Sequence, residues 1–392
     1  MEDVAPRINF NNTELAFQAQ TDAKLRRTYW LFRLIDSPFL TKVGPKLLNL
    51  GFKLRLPVKG LVKSTLFDLF AGGESLAETV KRSEHLMEYG VRTILDYSVE
   101  GEKTEEGFEK TKQEIIGTLV HGHKHEAVAF SACKLTGLAS FDLMANIQAG
   151  KVLTKAEQEA FERVKNRVRE IAMAARDYDV PVFFDAEETW IQDVIDGLVE
   201  GLMEEFNRDK VIVWTTTQHY RHDRLAYLQS LLKRSEERGY LLGVKLVRGA
   251  YLEKENRRAE EMGYPTPIQP NKAATDHDYN EALKLCIDHI DHVAVCAGTH
   301  NEQSSALLAE LLQQKGLPAN HPHVWFAQLL SMSDHISFNL GHGGYNAAKY
   351  LPYGPVKSVM PYLIRRAEEN TSVAGQASRE VELLKREVLR RN

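Results

Sequence analysis

The sequence predicts a (β/α)8 barrel of the TIM type preceded by an N-terminal helical arm. Three observations lead there. Short β-branched apolar runs alternate with stretches of helical period from about residue 89 onward. The runs are nearly continuous in apolar residues, as parallel strands buried on both faces require. Eight of them fit between residues 89 and 353, close to the ~250 residues typical of such a barrel. The chain therefore divides into an arm, residues 1–88, and a barrel, residues 89–392.

Composition bounds the rest. With 43% hydrophobic and 27% charged residues over 392 positions, the chain reads as an ordinary globular protein. A formal charge of −4, with acids and bases interspersed, speaks against a nucleic-acid partner. Cys133, Cys286 and Cys296 are too widely spaced for a disulfide framework or a metal knot, and suit a reducing compartment. No apolar run approaches the ~20 residues of a membrane span. Met1-Glu-Asp-Val lacks the basic region and apolar core of a secretory signal.

In the arm, Thr13 is read as the cap of a first helix, and Leu25–Leu40 as a strongly apolar and basic helix. That second helix packs against a core or partner, or lies on a membrane surface. Ser75 caps a third helix running to about Tyr89. The strand candidates are Val91–Tyr97, Ala127–Leu135, Val180–Asp185, Val211–Gln218, Leu241–Arg248, His292–His300, His323–Leu330 and a short run through Tyr350. Helices are read at Glu157–Asp179, Asp223–Arg238, Asp276–Asp291 and Gln303–Lys315. A doubly wound sheet is the rival fold, but no Gly-x-Gly-x-x-Gly follows the first strand, and Gly341-His-Gly-Gly344 reads as a loop.

Barrel enzymes carry their chemistry at the C-terminal ends of the strands. Here each run ends in a polar or ionisable residue: Asp96, Lys134, Asp185, Gln218, Lys245 with Arg248, Thr299 with His300, Gln328 and Tyr350. His121, His123 and His125 precede a strand, so they fall at the opposite face and read as a solvated loop, and no metal site is assigned. A serine nucleophile elbow is also missing. Cations outnumber anions on the rim, which calls for an anionic cofactor beside a carboxylate substrate. Arg248-Gly249-Ala250-Tyr251 puts small residues next to a cation, where backbone can approach a ring or a pyrophosphate. Lys272 and Thr275 add candidate phosphate contacts.

Past the eighth strand, a Gly354-Pro355 turn leads into a helix beginning near Ser358. At ~100° per residue, Tyr362, Arg365, Arg366 and Glu369 share one broad face of it. Two adjacent guanidiniums suit a carboxylate, and Glu369 an ammonium or an arginine. A solvated face with an i, i+4 ion pair is the structural reading of the same residues.

These motifs resemble the proline dehydrogenase family, whose members are FAD-dependent barrel enzymes. The matching segments are Lys245-Leu-Val-Arg-Gly-Ala-Tyr251, Asp185-Ala-Glu-Glu188, Thr299-His-Asn301, Tyr350-x-Pro-x-Gly354 and Tyr362-Leu-Ile-Arg-Arg366-x-x-Glu369. Leu95–Val99 and Gly263–Ile268 resemble the branch that includes the eukaryotic enzymes. The resemblance implies that Arg365, Arg366 and Lys134 serve the substrate carboxylate, and that Tyr251, Tyr350, Tyr362, Glu369 and Leu329 or Leu330 shape the ring pocket. It assigns Ala186, Gln218, Lys245, Arg248, Gly249, Ala250, Lys272, Thr275, Thr299 and His300 to FAD, with Asp185 and Lys245 at the reacting centre. Bacterial bifunctional members carry arginine where Lys245 stands, so the fork geometry is lost here while the charge is kept.

The implied reaction is oxidation of L-proline to pyrroline-5-carboxylate by hydride transfer from C5 to the flavin. Glu369, Asp185 and water remain open as acceptors of the ring-nitrogen proton. The implied partners are a quinone-type electron acceptor, a peripheral membrane contact and a pyrroline-5-carboxylate dehydrogenase. The implied location is cytoplasmic at the inner membrane, or its mitochondrial matrix side in a eukaryote. Hydroxyproline oxidation, a flavin or proline sensor without turnover, and a metal-dependent hydrolase are the alternatives. A bulky ring at Tyr350 argues against the first by crowding a 4-hydroxyl.

Overall fold

The computed structural model describes residues 8–35, 63–98, 102–356, 358–360, 362–363 and 376–392. Asn12, one residue before the expected cap, opens α1 (Thr13–Phe17) by accepting the Leu15 amide at 3.2 Å. In α2 (Asp22–Ile35), Leu25, Thr28 and Phe32 turn inward while Trp30 and Leu34 stay exposed, so the apolar pattern is split between two faces. Residues 36–40 of the expected helix lie outside the described residues. Ser75 precedes α3 (Leu76–Met87) without a side-chain capping bond.

All eight expected strands form. They are β1 (Val91–Tyr97), β2 (Val128–Cys133), β3 (Val182–Phe184), β4 (Val213–Gln218), β5 (Leu242–Val247), β6 (Val293–Gly298), β7 (Val324–Leu329) and β8 (Ala347–Tyr353). Each pairs in parallel with the next, and β8 returns to β1 to close the barrel. The helices between them are α4 (Glu105–Lys124), α5 (Phe141–Gln148), α6 (Lys155–Asp177), α7 (Thr189–Phe206), α8 (Arg224–Arg238), α9 (Leu252–Met262), α10 (Lys272–Asp288), α11 (Glu302–Gln314) and α12 (Asp334–His342). The expected start of α10 is late by four residues because Asn271, whose side chain accepts the Ala274 amide at 3.0 Å, is the cap. His121 and His123 belong to the last turn of α4 rather than to a loop, where their dipoles and any charge suit the helix C-terminus. They sit beneath β2 as expected, and among the described residues no group of three or more His, Cys, Asp or Glu is arranged to hold a metal.

Alternate strand residues face alternate sides. Val182, Phe184, Val213, Val244, Leu246, Val295 and Phe326 join the core shared with the helices. Ile94, Phe130, Phe183, Trp214, Cys296, Ala348 and Tyr350 form the barrel interior. Its floor is aromatic: Phe130 stacks on Phe183 at 4.4 Å, with Trp214 and Trp325 edge-on to Phe130 at 5.4 and 4.9 Å. The interior is thus plugged from below and open chemistry is confined to the upper end.

After β8 the backbone is helical at Val356, 358–360 and 362–363, and α13 (Gln376–Arg390) ends the fold. A separate cluster joins Phe17, Leu25 and Phe32 of the arm to Val359, Leu363, Leu383 and Leu384. Leu329, at the end of β7, packs on both this cluster and the barrel interior.

Candidate active site

A compact ionic layer rests on the aromatic floor. Lys245 points inward from β5, Tyr350 from β8, and Asp185 stands one residue past β3, its amide fixed to the Cys133 carbonyl at 2.9 Å. The Lys245 ammonium donates to Asp185, and to the Tyr350 hydroxyl at 2.9 Å. That hydroxyl in turn lies 2.8 and 2.9 Å from the two Asp185 oxygens. Lys245 also sits 5.0 Å from the Phe183 ring centre and 4.5 Å from that of Tyr350. Lys134, just beyond β2, completes the layer at 3.8 Å from both Asp185 and Asp96, and Asp96 accepts the Ser98 hydroxyl at 2.6 Å.

Burial and charge compete across this layer. Burial pushes the Asp185 carboxyl up, but the Lys245 and Lys134 ammoniums and its hydrogen bonds outweigh that and hold it below the usual range. Burial, reinforced by Asp185, pushes the Tyr350 phenol well above its ordinary value, so it stays a donor. Glu187, two residues on, is the opposite case: burial pushes it up to about 8 although it accepts the Thr136 amide at 2.9 Å and hydroxyl at 2.5 Å. Cys133 and Cys296 are likewise driven up by burial, and all three cysteines are free and buried.

The residues assigned to a cofactor fall on the adjacent arc from β3 to β6. Ala186 follows Asp185, and Gln218 at the end of β4 donates to the Glu187 carbonyl at 2.7 Å. Arg248 lies over Tyr279 at 4.4 Å and donates to Asp276, Thr299 and Ser304 at 2.7, 2.6 and 2.9 Å. Lys272 shares Asp276 at 2.5 Å, Thr275 is buried beside it in the first turn of α10, and His300 meets the Ser333 hydroxyl at 3.0 Å. Gly249, at φ +141°, passes so close to Tyr220 that a Cβ would lie 2.3 Å from its ring. Gly249 and Ala250 are exposed, leaving backbone and a small side chain open beside Arg248. A side-chain-free cradle with arginine, lysine and histidine around it fits a flat, phosphate-bearing cofactor such as FAD.

Of the substrate-assigned residues, Lys134, Leu329, Leu330 and Tyr350 fall on the complementary arc of β2, β7 and β8, whereas Tyr251 follows β5. Tyr362 is buried in the cluster against which Leu329 packs. Leu329 therefore faces the mouth, whereas Leu330 packs outward with Leu95, Phe338 and Leu351. Gln328 also turns outward, accepting from Ser337 at 2.7 Å and donating to the Thr299 carbonyl at 3.1 Å. Tyr251 stands at the start of α9. Arg365, Arg366 and Glu369 lie outside the described residues. Sequence reasoning passed over Lys349 and the Ser331–Ser333 turn, although a lone lysine inside the apolar run Ala347-Ala-Lys-Tyr-Leu was a visible signal.

Fold and site together define a barrel enzyme acting on a small anionic substrate at the C-terminal strand ends. The family model for proline dehydrogenase matches residues 79–379. The chain belongs to that family. It is 34% identical over 333 residues to the carbapenem antibiotics biosynthesis protein CarD of Pectobacterium carotovorum subsp. carotovorum, covering 85% of this chain and 86% of that one. It is 29% identical to the mitochondrial proline dehydrogenase 1 of Dictyostelium discoideum, covering 98% and 77%, and 30% identical to the hydroxyproline dehydrogenase of Xenopus laevis, covering 96% and 88%. The fold matches proline utilization A of Bdellovibrio bacteriovorus with a TM-score of 0.72 at 22% identity, over 94% of this chain and 40% of that protein.

Proposed function

We propose that this protein is an FAD-dependent proline dehydrogenase that oxidises L-proline to pyrroline-5-carboxylate. The observation that carries the reading is the buried Lys245–Asp185–Tyr350 layer, with Lys134 beside it, in a barrel of this family. FAD bound along the β3–β6 arc would supply the hydride acceptor that no side chain provides. Gln218, Lys245, Arg248, Gly249, Ala250, Lys272, Thr275, Thr299, His300 and Ala186 are the residues that would hold it.

Lys134, together with Arg365 and Arg366, binds the substrate carboxylate and so fixes C5 by orientation. Leu329, Tyr350, Tyr362 and Tyr251 close around the ring, with Glu369 assigned to it by sequence. Asp185 is held ionised by two ammoniums, which makes it a weak base and a strong anchor. Its work is to hold the Lys245 ammonium and the Tyr350 hydroxyl in place, while the ring-nitrogen proton passes to Glu369 or water. Lys245 keeps a positive charge where electron density accumulates. Closing the floor with aromatic side chains keeps water from entering beneath the ring.

A quinone-type acceptor and a peripheral membrane contact extend the proposal. Trp30 and Leu34, 57% and 52% exposed on α2 beside Arg33, are suited to an interface. Among the described residues no helix is long and apolar enough to cross a membrane. The imine product is reactive, so a pyrroline-5-carboxylate dehydrogenase is the proposed next partner.

The relative that oxidises hydroxyproline gives the second reading its footing. Tyr350 discriminates, because its hydroxyl is committed to Asp185 and Lys245 and its ring has no room to retreat. Anaerobic addition of L-proline to the FAD-loaded protein tests both. Bleaching of the visible flavin bands by L-proline, and far less by trans-4-hydroxy-L-proline, is the expected result. A flavin that stays oxidised would reject the proposal.

A further inference from the structure

Between β7 and α12, Ser331 and Ser333 hold φ at +58° and +52°, a left-handed conformation that neither serine favours. Two such residues one apart persist only where the surroundings impose them. The surroundings here are specific. Lys349, on the outward face of β8 and 1% exposed, donates to the Met332 carbonyl at 2.6 Å and the Leu329 carbonyl at 3.3 Å, and pairs with Asp334 at 2.7 Å. That uses all three donors of the ammonium. Glu380, buried on α13, accepts the Ser333 amide, and the Ser331 hydroxyl donates to the Leu69 carbonyl at 2.7 Å.

What the turn carries lies in the mouth. Leu329, the last residue of β7 before it, packs on both the cluster containing Tyr350 and the cluster containing Tyr362. The turn's last residue, Ser333, meets His300 at 3.0 Å. A buried ammonium is a costly way to fill space that an apolar side chain could fill. Its two carbonyl bonds fix backbone instead.

We propose that Lys349 is a positioning residue: from behind the barrel wall it holds the left-handed Ser331–Ser333 turn, and through it sets Leu329 against the substrate ring and His300 against the cofactor. This rests on the reading of the site as a proline oxidase. Lys349 touches neither substrate nor cofactor, and adjacent Tyr350 points the other way.

The test uses the FAD-loaded full chain as Lys349→Met and as Lys349→Met/Asp334→Asn, the second removing the carboxylate the first would leave unpaired. Hydrogen exchange is read at amides 329–334, and steady-state kinetics with L-proline in parallel. The expected result is about tenfold or faster exchange confined to the turn, with kcat/KM down about tenfold, mostly through KM. Unchanged exchange in the folded double variant would overturn the proposal, and so would faster exchange with KM and kcat both unchanged. If the parent protein is not reduced by L-proline, the assigned reaction fails and the positioning role falls with it. Exchange at the turn still reports whether Lys349 holds it.

Discussion

Removing the ammonium from the Lys245–Asp185 pair is the perturbation that probes the site most directly. Both side chains are buried, and among the described residues the Lys245→Met variant leaves Asp185 the Tyr350 hydroxyl at 2.8–2.9 Å and Lys134 at 3.8 Å. Breaking a buried pair by deleting one partner costs ~3–5 kcal/mol. Lys134 remains near, so the lower end applies, ~3 kcal/mol. Asp185→Asn strands the ammonium over the Phe183 and Tyr350 rings, for a similar cost of ~3 kcal/mol. In the double variant neither charge is left unpaired, and its loss is ~1–2 kcal/mol. The cycle is then non-additive by roughly 4–5 kcal/mol, against at most ~0.5 kcal/mol for independent sites. Urea unfolding followed by far-ultraviolet circular dichroism measures it. The pH dependence has a sign: the native carboxyl, held low, stabilises above its unfolded pKa and loses that as pH falls through its folded value. Without Lys245 its pKa rises, so the deficit of Lys245→Met grows from acid to neutral pH. Additive single variants, or a deficit that shrinks toward neutral pH, would refute the assignment of Asp185 as the anchored anion of this layer.

Other consequences are equally measurable. Tyr350→Ser opens the ring pocket and loosens Asp185, so the L-proline rate falls while the ratio of hydroxyproline to proline turnover rises; an unchanged ratio counts against the steric account. Gly249→Val forces a Cβ to within 2.3 Å of the Tyr220 ring, and the purified protein is expected to carry little flavin, read from its visible absorbance. Lys134→Met removes one carboxylate donor and raises KM for L-proline about tenfold or more with a smaller change in kcat. Glu187, raised to about 8 by burial, binds a proton in the folded state that the unfolded chain has released, so stability falls from about pH 4.5 to about 8. Relative to Glu187→Gln, the native protein therefore loses about 1 kcal/mol per pH unit over that window, checked by denaturation at several pH values.

Much of the fold was legible because parallel strands buried on both faces leave a coarse signal. Runs such as Val211-Ile-Val-Trp and Val293-Ala-Val-Cys are apolar at every position, and each became a strand within a residue or two. The polar ends of those runs also marked Asp185, Lys245, Lys134 and Tyr350, which the closed barrel brings into one layer. What the one-dimensional pattern lacks is direction. Gln328 and Leu330 stand at the same strand end as Leu329, and only the two-residue alternation, continued past the last ladder bond, decides which enters the mouth. Nor does sequence announce partners far along the chain: Ser331 bonds Leu69, and Ser333 bonds Glu380.

The same alternation accounts for the division of labour in the mouth. On the proposed reading, β3 to β6 carry the residues suited to a flat, phosphate-bearing group, while Lys134 after β2, Leu329 on β7 and Tyr350 on β8 suit a small ring with a carboxylate. Such a split would, on that reading, set substrate and cofactor on facing arcs, and it needs an element that links the two. Asp185 and Lys245, both on the β3–β6 arc, supply that link through Tyr350 on β8. They reach across the interior to each other and to Tyr350, tying β3, β5 and β8 with bonds that no strand pairing supplies. A loosened layer would therefore disturb both arcs at once, and substitutions at Asp185 or Lys245 are expected to change flavin retention and KM for proline together. Substitutions confined to one arc, such as Leu329→Ala, leave flavin content intact.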